Sequence, residues 1–179
     1  VLNIVSVAAG SSHSLALRSD GKIFAWGRNS SGATTVPASA TNIVAIATTW
    51  FGNIALRADG KLLTWGADPA IPGQATLTNI VEIAGKGGIG SPAGMALNRN
   101  GNVFATGTPA TATNIMAIGG SGLTYMAVKA VGSPIFPLPA VRRTVTPGQT
   151  AYLRLRAVGA LPLTYQWSFQ GTNLPGATN

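Results

Sequence analysis

The chain has 179 residues, of which 46% are hydrophobic and 9% charged, with a net charge of +8 and no cysteine. This composition can bury a core, and it excludes disulfides, thiolate catalysis and cysteine-bound zinc. No apolar run reaches the roughly 18 residues that a membrane-spanning helix requires. The basic residues are scattered along the chain, which favours an incidental basic excess over a nucleic-acid-binding surface.

Three short phrases recur in a fixed order along the first three quarters of the chain. The first is LNIV at 2–5, TNIV at 41–44 and 78–81, and TNIM at 113–116. The second is HSLAL at 13–17, GNIAL at 52–56, AGMAL at 93–97 and TYMAV at 124–128. The third is SDGKIFAWG at 19–27, ADGKLLTWG at 58–66 and RNGNVFATG at 99–107. The chain therefore contains three complete units and the first half of a fourth.

Each unit is predicted to form short β-strands. NIVSVAAG indicates a first strand, and SLALR and KIFAW indicate a hairpin around Asp20-Gly21. The equivalent turns are Asp59-Gly60 and Asn100-Gly101, for which we expect type I′ geometry with positive φ at both central residues. TTVP at 34–37 is a candidate fourth, outer strand that ends at its proline.

The repeat period indicates the fold class. Glycine, proline and β-branched residues, without a 3.6-residue period, exclude a helical repeat. Short strands recurring about every 40 residues are typical of propeller blades. Blades stack face to face, which explains why KIFAWG and NIVAIA are almost continuously apolar. We predict an all-β protein with a partial β-propeller of about three and a half blades over residues 1–131.

The phrase AAGSSHSLALRSDGKIFAWGRNSSG resembles the regulator-of-chromosome-condensation repeat. The short period and ATTVPASATNIVAIA resemble its compact bacterial branch, to which a secreted propeller inhibitor of β-lactamase belongs. The resemblance covers about residues 1–131 and is strongest in the first unit. It implies a ring of seven blades, more than these units supply. We therefore expect a truncated piece of a longer chain, whose first and last blades each expose an apolar face.

The last quarter has a different composition. Residues 132–141 are rich in proline and are predicted to be a linker. In residues 142–179, AYLRLRA alternates as a strand with one solvated face, and PLTYQWSFQG places Trp167 in the middle of a strand. The segment resembles the first strands of bacterial immunoglobulin-like domains, with Trp167 as the core tryptophan. We expect an incomplete immunoglobulin-like sandwich.

No residue pattern supports catalysis, a cofactor or a metal. His13 is the only histidine, and the four acidic residues are scattered, so neither a Ser-His-Asp site nor a ligand cluster is indicated. The resemblance implies that His13 is a structural loop residue. GKGGIG at 85–90 matches a dinucleotide fingerprint but precedes a predicted strand instead of a helix, which favours a long loop.

Two further sets of residues recur in register. Arg18, Arg57 and Lys129 share one position, and Lys22 and Lys61 share another. They could form a row that steers an anionic partner, or a solvated rim neutralised by the neighbouring Asp20 and Asp59. Trp26 and Trp65 recur together and are predicted to be core residues.

Trp50-Phe51 interrupts the repeat at a loop where the first unit has GSSH. The pair could pack between blades or form an exposed aromatic anchor. Strand directions place the loops at 10–13, 48–52, 85–94 and 119–124 on one face with RNSSG at 28–32, and the Asp-Gly turns on the opposite face. The candidate binding residues are therefore Trp50, Phe51, Arg28, Asn29 and Lys86.

These patterns favour a non-enzymatic binding module of a larger exported or cell-surface bacterial protein, a location that the resemblance alone implies. Its loops would contact a protein or a glycan, and no specific nucleic acid is expected. Two alternatives remain open: a guanine-nucleotide exchange or chromatin-binding propeller, as in eukaryotic members of the family, and a structural spacer of an adhesin.

Overall fold

The computed structural model describes residues 3–67, 71, 73–87, 93–105, 113–121, 124–129, 164 and 166–176. Within these ranges the protein is all-β, and its one helical element is a 3₁₀ turn at Gln74–Thr76. The first six strands are β1 (Ile4–Ala9), β2 (His13–Arg18), β3 (Ile23–Gly27), β4 (Ile43–Thr48), β5 (Gly52–Arg57) and β6 (Leu62–Gly66). The next five are β7 (Ile80–Lys86), β8 (Ala93–Asn98), β9 (Val103–Phe104), β10 (Ile115–Ser121) and β11 (Thr124–Lys129), and β12 (Ser168–Phe169) and β13 (Thr172–Asn173) follow.

The first eleven strands form four consecutive antiparallel sheets, which are the blades of a propeller. Blade 1 is β1-β2-β3, blade 2 is β4-β5-β6, blade 3 is β7-β8-β9 and blade 4 is β10-β11. The predicted hairpin pairing is confirmed, with Ser14 opposite Trp26 and Leu17 opposite Ile23. The prediction of three and a half blades is confirmed for the described strands. No described helix is long and apolar enough to cross a membrane.

The hairpin turns differ from the predicted type I′ geometry. Gly21 has φ 84° and Gly60 has φ 76°, but Asp20 and Asp59 do not have positive φ. Each aspartate carboxylate instead accepts a hydrogen bond from the backbone amide two residues later, at 3.2 Å. This side-chain bond stabilises a three-residue loop in which only the glycine is left-handed, so the type I′ prediction was wrong.

The TNI phrases have a structural function that the sequence did not reveal. Their asparagines, Asn42, Asn79 and Asn114, have φ between 55° and 59°. Asparagine tolerates this left-handed conformation better than most residues. The backbone amide of the isoleucine that follows the asparagine can then reach the hairpin turn of the preceding blade. Ile80 N, for example, donates to Gly60 O at 3.1 Å. The TNI phrase of one unit and the Asp-Gly turn of the preceding unit therefore together connect consecutive blades.

The core lies between blades. Each blade has a trailing face, which contacts the next blade, and a leading face, which contacts the one before. Leu15 and Leu17 on the trailing face of blade 1 pack with Ile46, Ala55 and Trp65 of blade 2. A second cluster joins Ile54 and Leu56 of blade 2 to Ala96 of blade 3. Blade 2 is therefore buried on both faces, as its continuous apolar sequence predicted.

The structure corrects the prediction that Trp26 is a core residue like Trp65. Trp65 is 8% exposed, whereas Trp26 is 52% exposed. The two residues occupy the same position on the leading face, but only blade 2 has a described blade in front of it. Val7 and Phe24 are exposed on the same face of blade 1. The prediction of an apolar face on the first blade is thus confirmed for the described residues.

Residues 34–37 do not form a fourth strand, so that prediction was wrong. The Asn29 side chain folds this segment into turns, because its Oδ1 accepts from Thr34 N at 2.9 Å and its Nδ2 donates to Thr35 Oγ1 at 3.0 Å. Val36 then packs against the core between blades 1 and 2. The described blades consequently have three strands or fewer.

The proposed linker at 132–141 and the AYLRLRA strand lie outside the described residues. In the last segment β12 and β13 form a short hairpin around Gln170-Gly171. Trp167 precedes β12 instead of lying in the middle of a strand, and its carbonyl accepts from Leu174 N at 2.8 Å. The immunoglobulin-like assignment stays a prediction.

Candidate binding face

The loops that connect first to second strands lie beside the loop after β3, and together they form what we call the upper face: residues 10–12, 28–32, 49–51 and Gly87. Ser11 donates to the Trp50 carbonyl from its amide at 3.2 Å and from its Oγ at 2.7 Å. Arg28 N donates to Ser12 O at 2.8 Å. The predicted grouping of the loops at 10–13, 48–52 and 28–32 is therefore confirmed.

Trp50 and Phe51 form an edge-to-face pair on this surface. Their ring centroids are 5.9 Å apart and the ring planes are inclined by 88°. Trp50 is half-buried, and Phe51 is 41% exposed. Phe51 is therefore partly exposed on this face, and Trp50 is less exposed than Phe51; that the pair binds a partner stays a prediction. Each ring limits the rotation of the other, so the exposed edge is held in a defined orientation.

The glycine that ends each WG phrase allows the upper-face loops to sit close to the sheet. A Cβ at Gly66 would lie 2.6 Å from Phe51 O, and one at Gly27 would lie 2.5 Å from Ser12 O. Both glycines have positive φ, at 95° and 106°. A side chain at either glycine would push the loop away from the sheet, which explains why the WG phrase recurs in units one and two.

Arg28 and Asn29 are exposed beside the aromatic pair, but both already have hydrogen-bond partners. Arg28 Nε donates to Ser30 Oγ at 2.9 Å, which leaves the other guanidinium nitrogens to a partner. The Asn29 amide holds the turn that contains Thr34 and Thr35. Asn29 can therefore contribute shape to this surface, and Arg28 can contribute charge.

Lys86 differs from the other four candidate residues because its side chain is only 8% exposed. It lies on β7, not in the loop, and its Nζ is 4.6 Å from the centroid of the Tyr125 ring in blade 4. Burial also raises the pKa of the Tyr125 hydroxyl. The contact is a cation–π interaction between consecutive blades, so the structure corrects the expectation that Lys86 offers its charge at the surface.

A cleft of about 470 Å³ adjoins Trp50 at the inner edge of the blades. Its walls come from the first strands of all four blades and are mostly small residues: Ala8, Ala9, Gly10, Ser11, Ile46, Ala47, Thr48, Thr49, Trp50, Ala84, Gly85, Gly87 and Gly120. Each first strand is paired on one side only, so its other edge presents backbone donors and acceptors to this cleft. A large aromatic side chain therefore borders a polar cleft.

A buried polar network links the first two blades, and sequence reasoning missed it. His13 Nε2 lies 2.8 Å from Asn53 Oδ1. Asn53 Nδ2 and Trp65 Nε1 both donate to the Ala33 carbonyl, at 2.8 and 2.9 Å. Because Asn53 Oδ1 can only accept, Nε2 of His13 carries the proton. His13 is thus structural, as the resemblance implied, although it begins strand β2 and is not in a loop.

The described part of the chain contains no group of three His, Cys, Asp or Glu side chains that could hold a metal ion. Of the possible nucleotide fingerprint, Gly85 lies within β7 and Gly87 directly follows that strand, whereas Gly90 lies outside the described residues. A Cβ at Gly85 would lie 1.7 Å from Thr48 O. The glycine therefore serves close packing of blade 3 on blade 2.

On the opposite face, the basic row is partly neutralised. Arg18 Nε donates to Asp20 Oδ1 at 2.8 Å, and Arg57 Nε donates to Asp59 Oδ1 at 3.3 Å. Both pairs are partly solvated. The solvated-rim interpretation is therefore supported for these residues.

Acid titration provides a test of the Arg18–Asp20 pair. The hydrogen bond from Arg18 lowers the pKa of Asp20 from 3.8 to about 2. Because the folded pKa lies below the unfolded value, the stabilisation is complete above pH 3.8 and is lost as the pH falls through about 2. We expect Asp20→Asn to be slightly less stable than wild type at neutral pH and equally stable near pH 2, as measured by urea unfolding at both values. A constant difference would contradict this.

Comparison with known proteins identifies the type of repeat. Residues 4–33 match the family model for the regulator of chromosome condensation (RCC1) repeat. No curated protein is detectably similar in sequence.

Several solved structures resemble the fold. Prp20p from Saccharomyces cerevisiae, described with its binding properties to Gsp1p and histones, has a TM-score of 0.57 and 18% identity over 92% of this chain and 52% of its own. Yeast RCC1 (Prp20) with Kap60 bound and human WBSCR16 both have TM-scores of 0.52, at 18% and 17% identity over 72% of this chain. This chain spans 42% and 45% of their lengths. Residues 4–33 therefore match an RCC1 repeat, and the chain has the fold of an RCC1-type β-propeller.

Proposed function

We propose that this chain is a non-enzymatic binding module whose upper face contacts a protein or glycan, within a larger exported or cell-surface bacterial protein. The observation that carries the proposal is the Trp50–Phe51 pair. In this loop the second unit has two large aromatic residues where the first unit has small polar ones. Phe51 is 41% exposed there. Aromatic residues are enriched among the residues that dominate binding energy.

The surroundings of the pair support this assignment. The loop that carries it is fixed by hydrogen bonds from Ser11 and by the close approach of Gly66, so little conformational entropy is lost when a ligand binds. Arg28 supplies an exposed cation in a neighbouring loop of the upper face, and the cleft that adjoins Trp50 is lined by the edges of the first strands. Aromatic surface next to polar groups suits a protein loop or a sugar ring.

The two alternative functions have less support. A chromatin-binding role is suggested by eukaryotic members of the resembled family, but the basic residues give it little support, because Arg18 and Arg57 each lie against an aspartate. A chromatin-binding propeller would bind DNA or histones with a steep dependence on salt. A structural spacer would retain no ligand on its upper face.

The test is a comparison of variants on the two faces. Wild-type protein is screened against a glycan array and a panel of extracellular proteins, and affinities for each hit are remeasured with Trp50→Ala and Phe51→Ala. We expect losses of about 2 kcal/mol, which is roughly a 30-fold increase in Kd.

Arg18→Ala and Lys61→Ala serve as matched controls on the opposite face, and both should bind as wild type does. Equal losses on the two faces would contradict the proposed site, and a screen without any hit would favour the spacer. Circular dichroism of each variant separates lost binding from lost folding.

A further inference from the structure

The buried network of His13, Asn53 and Ala33 lies at the base of the upper face. Each of these residues comes within two positions after one of its loops, which are 10–12, 49–51 and 28–32 respectively. Asn53 joins the other two, because its Oδ1 lies 2.8 Å from His13 Nε2 and its Nδ2 donates to Ala33 O at 2.8 Å. One side chain therefore ties together the bases of three loops.

The loop that holds Trp50 in place is itself supported by this network. Ser11 donates to Trp50 O from both its amide and its hydroxyl. The His13 ring packs beneath the same loop, since a Cβ at Gly10 would collide with His13 Cε1. The position of the His13 ring is thereby transmitted, through one short loop, to the backbone of the aromatic pair.

The next boundary, between blades 2 and 3, packs without such a network. Gly52 has the position in unit two that His13 has in unit one. Gly94 has the position in unit three that Asn53 has in unit two. Neither glycine has a side chain that could form the bond, yet buried apolar residues still join these two blades. A bond of this kind is therefore not a requirement of blade packing in this repeat.

The boundary that contains the network is also the one whose loops carry Trp50 and Phe51. Burying polar groups costs desolvation free energy, so a network is expected where one defined arrangement matters more than stability. A fully bonded buried network makes its surroundings rigid and selects a single arrangement of the chain. The network therefore fits the requirements of the loops above it better than those of the blades around it.

We propose that His13 and Asn53 are positioning residues of the upper face. Their buried bond holds the loops of blades 1 and 2 as one unit, and so sets the orientation of the Trp50–Phe51 pair. Neither side chain is available to a ligand, because His13 is 5% exposed and Asn53 is fully buried. The effect on affinity rests on the proposed function, whereas the rigidity of the loops is measurable without any ligand.

Amide hydrogen exchange of the full chain tests the rigidity of the loops in the absence of a ligand. The reporters are the amides of Ser11 and Arg28, each of which bonds one upper-face loop to another. The reference is the amide of Ile80, which bonds to the hairpin turn of blade 2 on the opposite face. We expect His13→Leu to speed exchange at the two reporters about 10-fold more than at the reference, because the opening is local.

The substitutions His13→Gln and His13→Leu form a matched pair. Both fill most of the volume of the ring, but only glutamine keeps a donor that can reach Asn53 Oδ1. We expect His13→Gln to restore exchange at the reporters to within about twofold of wild type. Equal protection in the two variants would show that volume, and not the bond, holds the loops, and this result would overturn the proposal.

Ile54→Val is the control for a general loss of stability. Ile54 is buried between blades 2 and 3, away from the network, so the variant should speed exchange at reporters and reference by similar factors. If His13→Leu also speeds all of these amides equally, the bond stabilises the fold without positioning the loops, and the proposal is wrong. Circular dichroism verifies the strand content of each variant.

Binding is then measured with every ligand that the upper-face screen retains. We expect His13→Leu to raise the Kd about 10-fold and His13→Gln to recover most of the affinity, because a loosened loop loses more entropy on binding. A ligand that Trp50→Ala weakens and His13→Leu does not would overturn this inference and leave the proposed function intact. A screen without any ligand counts against the proposed function alone, since hydrogen exchange still decides whether the bond positions the loops.

Discussion

Gly85→Ala is expected to destabilise the protein by about 3 kcal/mol, because the new methyl group would collide with backbone. An ideal Cβ at this position lies 1.7 Å from Thr48 O and 2.6 Å from Thr48 C. A backbone atom cannot rotate aside as a side chain does, so blade 3 would have to move away from blade 2. Gly85 does not have positive φ, and the effect is therefore purely one of space.

Gly119→Ala is the matched control for this substitution. It places the same methyl group on the first strand of blade 4, where the nearest atom is Met126 Cε at an ordinary 3.8 Å. We expect a change of about 0.5 kcal/mol or less in the free energy of unfolding, which is usual for substitutions away from the core. The measurement is urea unfolding of both variants with wild type. Similar midpoints for the two variants would contradict the proposed close approach of the first strands.

Asn53→Ala is expected to cost about 2 to 3 kcal/mol, since buried His13 Nε2 loses its hydrogen-bond partner and the Ala33 carbonyl keeps only its bond from Trp65. Asn53 is fully buried and joins His13 Nε2 to the Ala33 carbonyl. The loss is expected to weaken the contact between blades 1 and 2 more than the strands within either blade. Hydrogen exchange should therefore show faster opening at this boundary.

A double-mutant cycle isolates the His13–Asn53 bond. His13→Ala and Asn53→Ala should be less than additive, with a coupling of about 1 kcal/mol or more. Trp65→Phe keeps most of the ring and removes only the Nε1 donor to Ala33 O, so we expect a smaller loss of about 1 kcal/mol. Additive effects of His13→Ala and Asn53→Ala would show that the two side chains do not act as a unit.

The sequence by itself determined the first two strands of each described blade and the third strand of blades 1 to 3, although the outer strand predicted at 34–37 was wrong. These features depend on local signals: apolar runs of strand length, a turn at Asp20-Gly21, and a glycine that follows both Trp26 and Trp65. Because antiparallel strands alternate in direction, the position of Trp50-Phe51 on the upper face also followed without knowledge of packing. The exact turn type did not, since it depends on whether the Asp20 carboxylate binds its own backbone.

Only the tertiary structure decided which repeated residues are buried and which polar groups meet. Trp26 and Trp65 have almost the same local sequence, yet one is exposed and the other is core, because burial depends on a neighbouring blade. Lys86 is covered by Tyr125, which lies 39 positions later in the chain, and Asn53 meets His13 from another blade. These contacts join residues that are distant in sequence, and no local pattern encodes them.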